Sequence, residues 1–243
     1  MRQTNKIRKG IAWLLCTVLV LGILPMLPQM SMQISAAENA ASVFVDGVEL
    51  HAGSQEYFKN GDTADSGATG TYEDHSAYYD TAGELWLNNL EAHTIKADGN
   101  LIIYVCNNQA TNTNIVTATQ NETAIEVTGY LTIRYGGYGG GTGSLTVESD
   151  GKEAIQAGSG MTVSDGVEVK ARAKSGATAI SSGGVLKIDG IRTKLEAAGD
   201  GSTGKGIFAQ QSIYVKNSAV LTAFGGAAAY ESPSGIDLSL IHI

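Results

Sequence analysis

The chain has 243 residues, with 24 acidic against 16 basic side chains, 31 Gly and only 3 Pro. That length suits one domain with a sizeable core, and a net charge of −8 makes nucleic acid and anionic membrane poor partners. The charge is uneven: residues 38–127 carry 14 acidic and 2 basic side chains, and residues 128–237 carry 10 of each.

Residues 1–37 read as a secretory signal peptide, outside the fold. Arg2, Lys6, Arg8 and Lys9 form a basic start, an apolar run follows from Ile11 to Leu27, and Ser35-Ala36-Ala37 offers small residues for cleavage. With Pro25 inside it, the run is short for a membrane span. Leu15 stands where a lipoprotein signal ahead of Cys16 needs a small residue. The expectation is a secreted, extracellular protein associated with a cell surface, with no membrane partner after cleavage. Cleavage leaves Cys106 as the single cysteine, so no internal disulfide can form. Cys106 has no motif around it and reads as a small buried apolar residue.

Residues 38–84 read as an N-terminal hairpin and capping segment. Ser42-Val43-Phe44-Val45 and Val48-Glu49-Leu50-His51 flank Asp46-Gly47, the pattern of a β-hairpin with a type I′ turn. Beyond it, Asp62, Asp65, Glu73, Asp74 and Asp80 are dense enough to suggest Ca²⁺, which takes six to eight oxygen ligands. No EF-hand spacing accompanies them, and a solvated acidic loop is the other reading; no other cofactor is expected. His51, His75 and His93 show no metal-ligand spacing.

The regular part, residues 85–237, opens at Leu85-Trp86-Leu87. Trp86 alternates with two leucines and so faces outward, as a glycan platform or packed under the cap. Five Ile residues then recur behind small residues: Thr94-Ile95, Ala124-Ile125, Ala154-Ile155, Ala179-Ile180 and Gly206-Ile207. Two strand-like runs follow each of them. The first set is Leu101 to Ile103, Leu131 to Ile133, Met161 to Val163, Leu186 to Ile188 and Ile213 to Val215. The second set is Ile115 to Thr117, Leu145 to Val147, Val167 to Val169, Leu195 to Ala197 and Leu221 to Ala223. Three short strands per repeat predict an all-β chain folded as a parallel β-helix of about five coils, with the five Ile stacked inside. Asp165-Gly166, Asp189-Gly190 and Asn217-Ser218 read as equivalent corners, where left-handed backbone is tolerated.

Gly83-Glu84-Leu85-Trp86-Leu87-Asn88-Asn89, the cadence of Ala-Ile followed by Gly-x-Leu-Thr-Ile, and Gly143-Ser144-Leu145-Thr146-Val147 carry a resemblance. Over residues 42–225 the chain resembles a family of Gram-positive bacterial surface proteins labelled carbohydrate-binding domain-containing proteins. The resemblance implies a right-handed parallel β-helix and an exported, surface-associated protein whose partner is a polysaccharide or cell-surface glycan. The motifs are structural and assign no site residue.

Two further sets of residues are candidates for chemistry. Aligning Val147, Val169, Ala197 and Ala223 puts Glu168 and Glu196 in one outward column, where rungs about 4.8 Å apart would suit a retaining glycosidase pair or a shared Ca²⁺. Lys170 and Lys194 flank them, so a solvated charge ladder is the simpler account. Tyr135 and Tyr138 sit in the run Arg134-Tyr135-Gly136-Gly137-Tyr138-Gly139-Gly140-Gly141, where flat phenol rings on a loop could stack on sugars. The run lacks the Lys-Ser/Thr and helix of a phosphate cradle. The leading reading is a non-catalytic, glycan-binding β-helix. The alternatives are a polysaccharide lyase or glycoside hydrolase on the same fold, and a structural stalk or adhesin spacer. Residues 238–243, Leu238-Ser239-Leu240-Ile241-His242-Ile243, read as a translated sequencing adapter, and the chain as a fragment of a longer protein.

Overall fold

The computed structural model describes residues 38–106, 113–119, 121–137 and 142–238, of which residues 237 and 238 by their backbone alone, and every regular element among them is a strand. Residues 1–37, Tyr138 and residues 239–243 lie outside the described residues.

The hairpin forms where its turn chemistry places it. β1 (Ser42–Val45) and β2 (Val48–His51) pair antiparallel, with Val45 opposite Val48. Asp46 and Gly47 take φ values of 50° and 79°, the two positive angles that a type I′ turn demands. A second hairpin follows from β3 (Glu56–Phe58) and β4 (Ala77–Tyr79).

The solenoid begins with β5 (Glu84–Leu87), β6 (Glu91–Ala92) and β7 (Ile95–Ala97). Each later coil repeats the three strands. They are β8 (Leu101–Val105), β9 (Asn114–Thr117) and β10 (Ile125–Val127), then β11 (Tyr130–Tyr135), β12 (Ser144–Asp150) and β13 (Ile155–Ala157). Next come β14 (Gly160–Ser164), β15 (Glu168–Lys174) and β16 (Thr178–Ser182), then β17 (Leu186–Asp189), β18 (Lys194–Gly199) and β19 (Lys205–Ala209). β20 (Ile213–Lys216), β21 (Val220–Gly225), β22 (Ala228–Glu231) and β23 (Ile236–Leu238) finish the series. Strands one coil apart pair in parallel, so three sheets wrap one core in about five turns.

Ile95, Ile125, Ile155, Ile180 and Ile207 face one another in register and are fully buried. The sheet between them and the hairpin is continuous, because β1 lies antiparallel on β7 with Val45 opposite Ile95. β4 covers β5 in the same way, with Tyr78 opposite Trp86. The two hairpins therefore satisfy the backbone edges of the first coil in two of the three sheets. The other end differs. On its last rungs Val220, Phe224 and Tyr230 are all more than half exposed, and Leu221, Ala223 and Ile236 are only partly buried.

The six-stranded sheet corrects the expected register. Val169 pairs with Leu145 and Leu195, and Val147 pairs with Ala171, so β15 sits two residues away from the alignment on Val147. Val167, Val169 and Ala171 all share one parity, and hydrophobic alternation alone does not separate the two choices. The register of β9 slips by one: Val116 and Asn114 point inward and Ile115 outward. Buried Asn114 is accommodated because its Oδ1 accepts the Leu90 N–H at 3.0 Å and its Nδ2 donates to the Ser144 carbonyl at 3.3 Å. At the corners, Asp165-Gly166 and Asn217-Ser218 are equivalent, whereas Asp189 closes β17 and the left-handed residues there are Gly190 and Arg192.

Candidate functional site

Strand alternation builds a strip of aromatic side chains on the outer face of the nine-stranded sheet. Phe58, Ala77, Tyr79, Leu85, Leu87, Ile103, Val105 and Ile133 fill the interior, so their neighbours Tyr57, Tyr78, Trp86, Tyr104 and Arg134 point out. Register places those five opposite one another across consecutive strands. Strand spacing of about 4.8 Å is close to the separation of stacked rings, which lets aromatics in one column stack along the sheet. Trp86 stacks on Tyr104 with centroids 4.0 Å apart and planes 9° apart. Tyr78 stacks on the other side of Trp86 at 5.8 Å and 3°, and Tyr57 lies 5.9 Å beyond Tyr78. Arg134 closes the row, its guanidinium 4.3 Å from the Tyr104 centroid.

Carboxylates hold the strip. Trp86 Nε1 donates to Asp80 Oδ2 at 3.0 Å, while Asp80 Oδ1 accepts the N–H groups of Ala82 and Glu84 at 2.9 and 3.0 Å. Glu84 Oε1 accepts from the Tyr104 hydroxyl and from Arg134 Nη2, both at 3.4 Å. Arg134 Nη2 also donates to the Tyr104 hydroxyl oxygen. Gly136 passes over this group: a Cβ there would lie 2.8 Å from Tyr104 Cβ and 3.1 Å from Trp86 Cζ3. Burial pushes the Tyr78 phenol up to about 12, and the Tyr104 phenol is raised too because burial outweighs the Arg134 charge. At the far end Tyr57 meets Tyr72 edge-on at 6.4 Å and His75 at 5.3 Å, and Tyr72 is 74% exposed.

From Tyr78 through Trp86 to Tyr104 the ring faces are turned on one another, and Tyr57 is tilted 45° to Tyr78. The strip therefore offers solvent its ring edges, tyrosine hydroxyls and flanking carboxylates, together with the open ring of Tyr72. Such a rim can exchange hydrogen bonds with a polyhydroxylated chain and cover its apolar C–H patches.

Of the residues expected to bind sugar, Trp86 lies in this strip. Tyr135 does not. It is the last residue of β11, opposite Val105, and packs partly buried against the core, because the strand runs one residue further than the glycines suggest. Tyr138 lies outside the described residues. Glu168 and Glu196 are not opposite each other: Glu168 faces Lys194, and Glu196 faces Lys170. Glu168 is within 3.4 Å of Lys170 Nζ and 3.8 Å of Lys194 Nζ, an alternating charge lattice rather than a carboxylate pair.

The acidic residues 62–80 are dispersed into local hydrogen bonds, and no three Asp, Glu, His or Cys gather to hold a metal among the described residues. Asp62 accepts the Lys59 N–H and the Thr69 N–H at 2.9 Å each, as well as the Thr69 hydroxyl. Asp74 accepts Lys59 Nζ at 2.7 Å and the Thr71 N–H at 2.9 Å, and Asp80 is engaged as above. Asp65 and Glu73 are exposed. These are Asx-type turn contacts. They carry a pH dependence. Burial alone would raise the Asp62 pKa, but the Thr69 and Lys59 hydrogen bonds outweigh it and hold the carboxyl below its ordinary value. A lowered folded pKa contributes stability above the unfolded value and loses it as pH falls, so the capping segment should weaken below roughly pH 4. The expected result is a melting temperature that falls between about pH 5 and pH 3, with a shallower fall in Asp62→Asn. An identical slope in the variant would remove Asp62 from the account.

Tyr57, Tyr78, Tyr104 and Arg134 were not singled out by the sequence. Their signal was present, since each neighbours inward apolar residues, but Leu85 pairs with Ile103 only 18 residues on, unlike the later coils. The strands of Tyr57 and Tyr78 are antiparallel additions that no repeat alignment reaches. No family model, no curated protein and no solved structure matches this chain.

Proposed function

We propose that this β-solenoid is an exported, non-catalytic protein of a bacterial cell surface that binds polysaccharide along the outer face of its nine-stranded sheet. The observation that carries this reading is the aromatic column of Tyr57, Tyr78, Trp86 and Tyr104, which crosses four adjacent strands beside Asp80 and Glu84. A linear polymer is the ligand whose shape suits such a strip. The basic and apolar N-terminus supports export, and the resemblance to surface proteins labelled carbohydrate-binding supports the ligand class. The placement of Glu168 between Lys170 and Lys194, and of Glu196 opposite Lys170, supports binding without cleavage. Aromatic contacts worth about 0.5–1.5 kcal/mol each give affinities of roughly millimolar to micromolar. Several copies on one surface would raise that by avidity.

One observation favours a second reading, a structural stalk. The ring faces pack on one another, and the polar groups of Trp86 and Tyr104 already have internal partners. Retention on insoluble glycans separates the two. Wild type should be retained on at least one of cellulose, xylan, chitin and chitosan. Tyr78→Ala with Trp86→Ala should lower that retention about fivefold or more while circular dichroism stays unchanged. No retention of wild type on any of them would leave the stalk. Reducing sugar released by wild type but not by Glu168→Gln would instead establish an enzyme.

A further inference from the structure

A strand that ends a sheet offers its outward N–H and C=O groups to any other strand, whatever ligand the molecule binds elsewhere. We propose that the capping segment is an end guard: side chains of Asp46, Glu56, Asn60 and Asp62 hold the backbone groups that the outermost strands would otherwise offer to a strand of a second copy of this chain.

β2, β3 and β6 end the three sheets on this side. β6 is the barest, since no hairpin strand pairs with it. β9 engages one side of Glu91 and Ala92, and side chains meet the other. Asn60 Oδ1 accepts the Glu91 N–H at 2.9 Å, and Asn60 Nδ2 donates to the Asn89 carbonyl at 3.0 Å. One side-chain amide thus makes the two bonds that backbone groups of a neighbouring strand would make. Asp46 Oδ1 accepts the N–H groups of His93 and Thr94 at 2.6 and 2.9 Å. Alternate residues direct their N–H groups to the same edge of a strand, and Glu91 and His93 are such a pair. Both are taken. Asn60 is held in place in turn, its own N–H donating to Ser76 Oγ at 3.2 Å.

The same chemistry recurs on the other two sheets. His51, the last residue of β2, donates its N–H to Glu56 Oε2 at 2.8 Å. Just past β3, Asp62 Oδ2 accepts the Lys59 N–H and the Thr69 N–H, each at 2.9 Å. That shared oxygen draws the next residue onto β3: a Cβ at Gly70 would lie 3.0 Å from the Phe58 carbonyl carbon and 3.1 Å from that of Tyr57. Carboxylates suit this task, because they bind N–H groups strongly and leave no donor for an incoming strand.

The test opens β6 in the full chain. Asp46→Gly with Asn60→Leu removes both acceptors, and Gly keeps the positive φ that the turn requires at position 46. Sedimentation should give a weight-average mass about twofold or more above wild type at equal concentration, rising with concentration, while circular dichroism stays strand-rich. Asp46→Asn with Asn60→Asp keeps an acceptor oxygen at each place and the same net charge, and should sediment like wild type. Asp65→Asn, which removes one charge from an exposed residue, should do so too. If the double variant loses its strand spectrum, Asn60→Leu alone, which leaves the hairpin turn intact, carries the same comparison. In that single variant the Glu91 amide should exchange its hydrogen about tenfold or more faster than in wild type. Unchanged exchange at Glu91 overturns the proposal, and so does faster exchange at wild-type mass. Equal association in Asp65→Asn or in the acceptor-keeping pair also overturns it, by tracing the effect to charge or to a loosened cap.

Discussion

Ile155→Asp is expected to leave the chain without a folded solenoid. Ile155 is fully buried midway along the internal column, in register with Ile125 on one side and Ile180 on the other. Removing the side chain forfeits about 1.5–3 kcal/mol of burial. A carboxylate there adds a penalty of several kcal/mol, because no partner in the column can neutralise it. Together these approach the whole stability of an ordinary domain, about 5–15 kcal/mol. A solenoid has no other core to fall back on, since each rung is held by its two neighbours. Gln156→Lys is the matched control: Gln156 is the next residue, faces solvent, and lies beside Glu126. The control should keep a strand-rich circular dichroism spectrum and a cooperative melt, while Ile155→Asp should lose both. A cooperative melt for Ile155→Asp near the wild-type temperature would mean that the column is not the core.

The next largest loss is expected from Gly206→Val. Gly206 is buried within β19, immediately ahead of Ile207, the place held by Thr94, Ala124, Ala154 and Ala179 in earlier coils. At each of these places two consecutive residues are buried, and at Gly206 the backbone of neighbouring strands passes close behind the first of them. A Cβ at Gly206 would lie 3.0 Å from the Ala197 carbonyl oxygen and 2.7 Å from that of Phe224, and closer still to that of Ala229. None of these atoms can swing away, because each belongs to a strand of the ladder. Valine adds two further carbons, and overpacking of this kind costs about 1–3 kcal/mol or more. The readout is the urea midpoint, which should fall clearly without a change in slope. An unchanged midpoint would show slack behind Gly206.

Much of this fold was legible. The five Ile, the small residue before each, the Asp-Gly turn and the alternation in Leu131 to Ile133 all encode what the three sheets require, because a buried face and a two-residue period leave little choice. The register of β15 was not legible, since Val167, Val169 and Ala171 offer two positions of the same parity. The site was less legible than the core. Glu168 and Glu196 were brought together only by that misplaced register, and Tyr135 was assigned to a loop because glycines follow it. The aromatic strip is assembled from β3, β4, β5 and β8, two of which pair antiparallel and one after a short first coil. Contacts made across irregular connections leave no period in the chain to find them by.

The backbone hydrogen bonds between rungs all run along the solenoid axis, and the two ends are unequal: hairpins lie across the first coil, while the last rungs keep Val220, Phe224 and Tyr230 more than half exposed. Under mechanical tension applied through the chain, these bonds are not sheared in parallel as in a sandwich of strands. They are peeled one after another, coil by coil. Each step then pays out a single coil of 25 to 30 residues, as the spacing of the stacked Ile sets it. The molecule would behave under load as a chain of short extensible links that lengthens at nearly constant force and closes again in the reverse order.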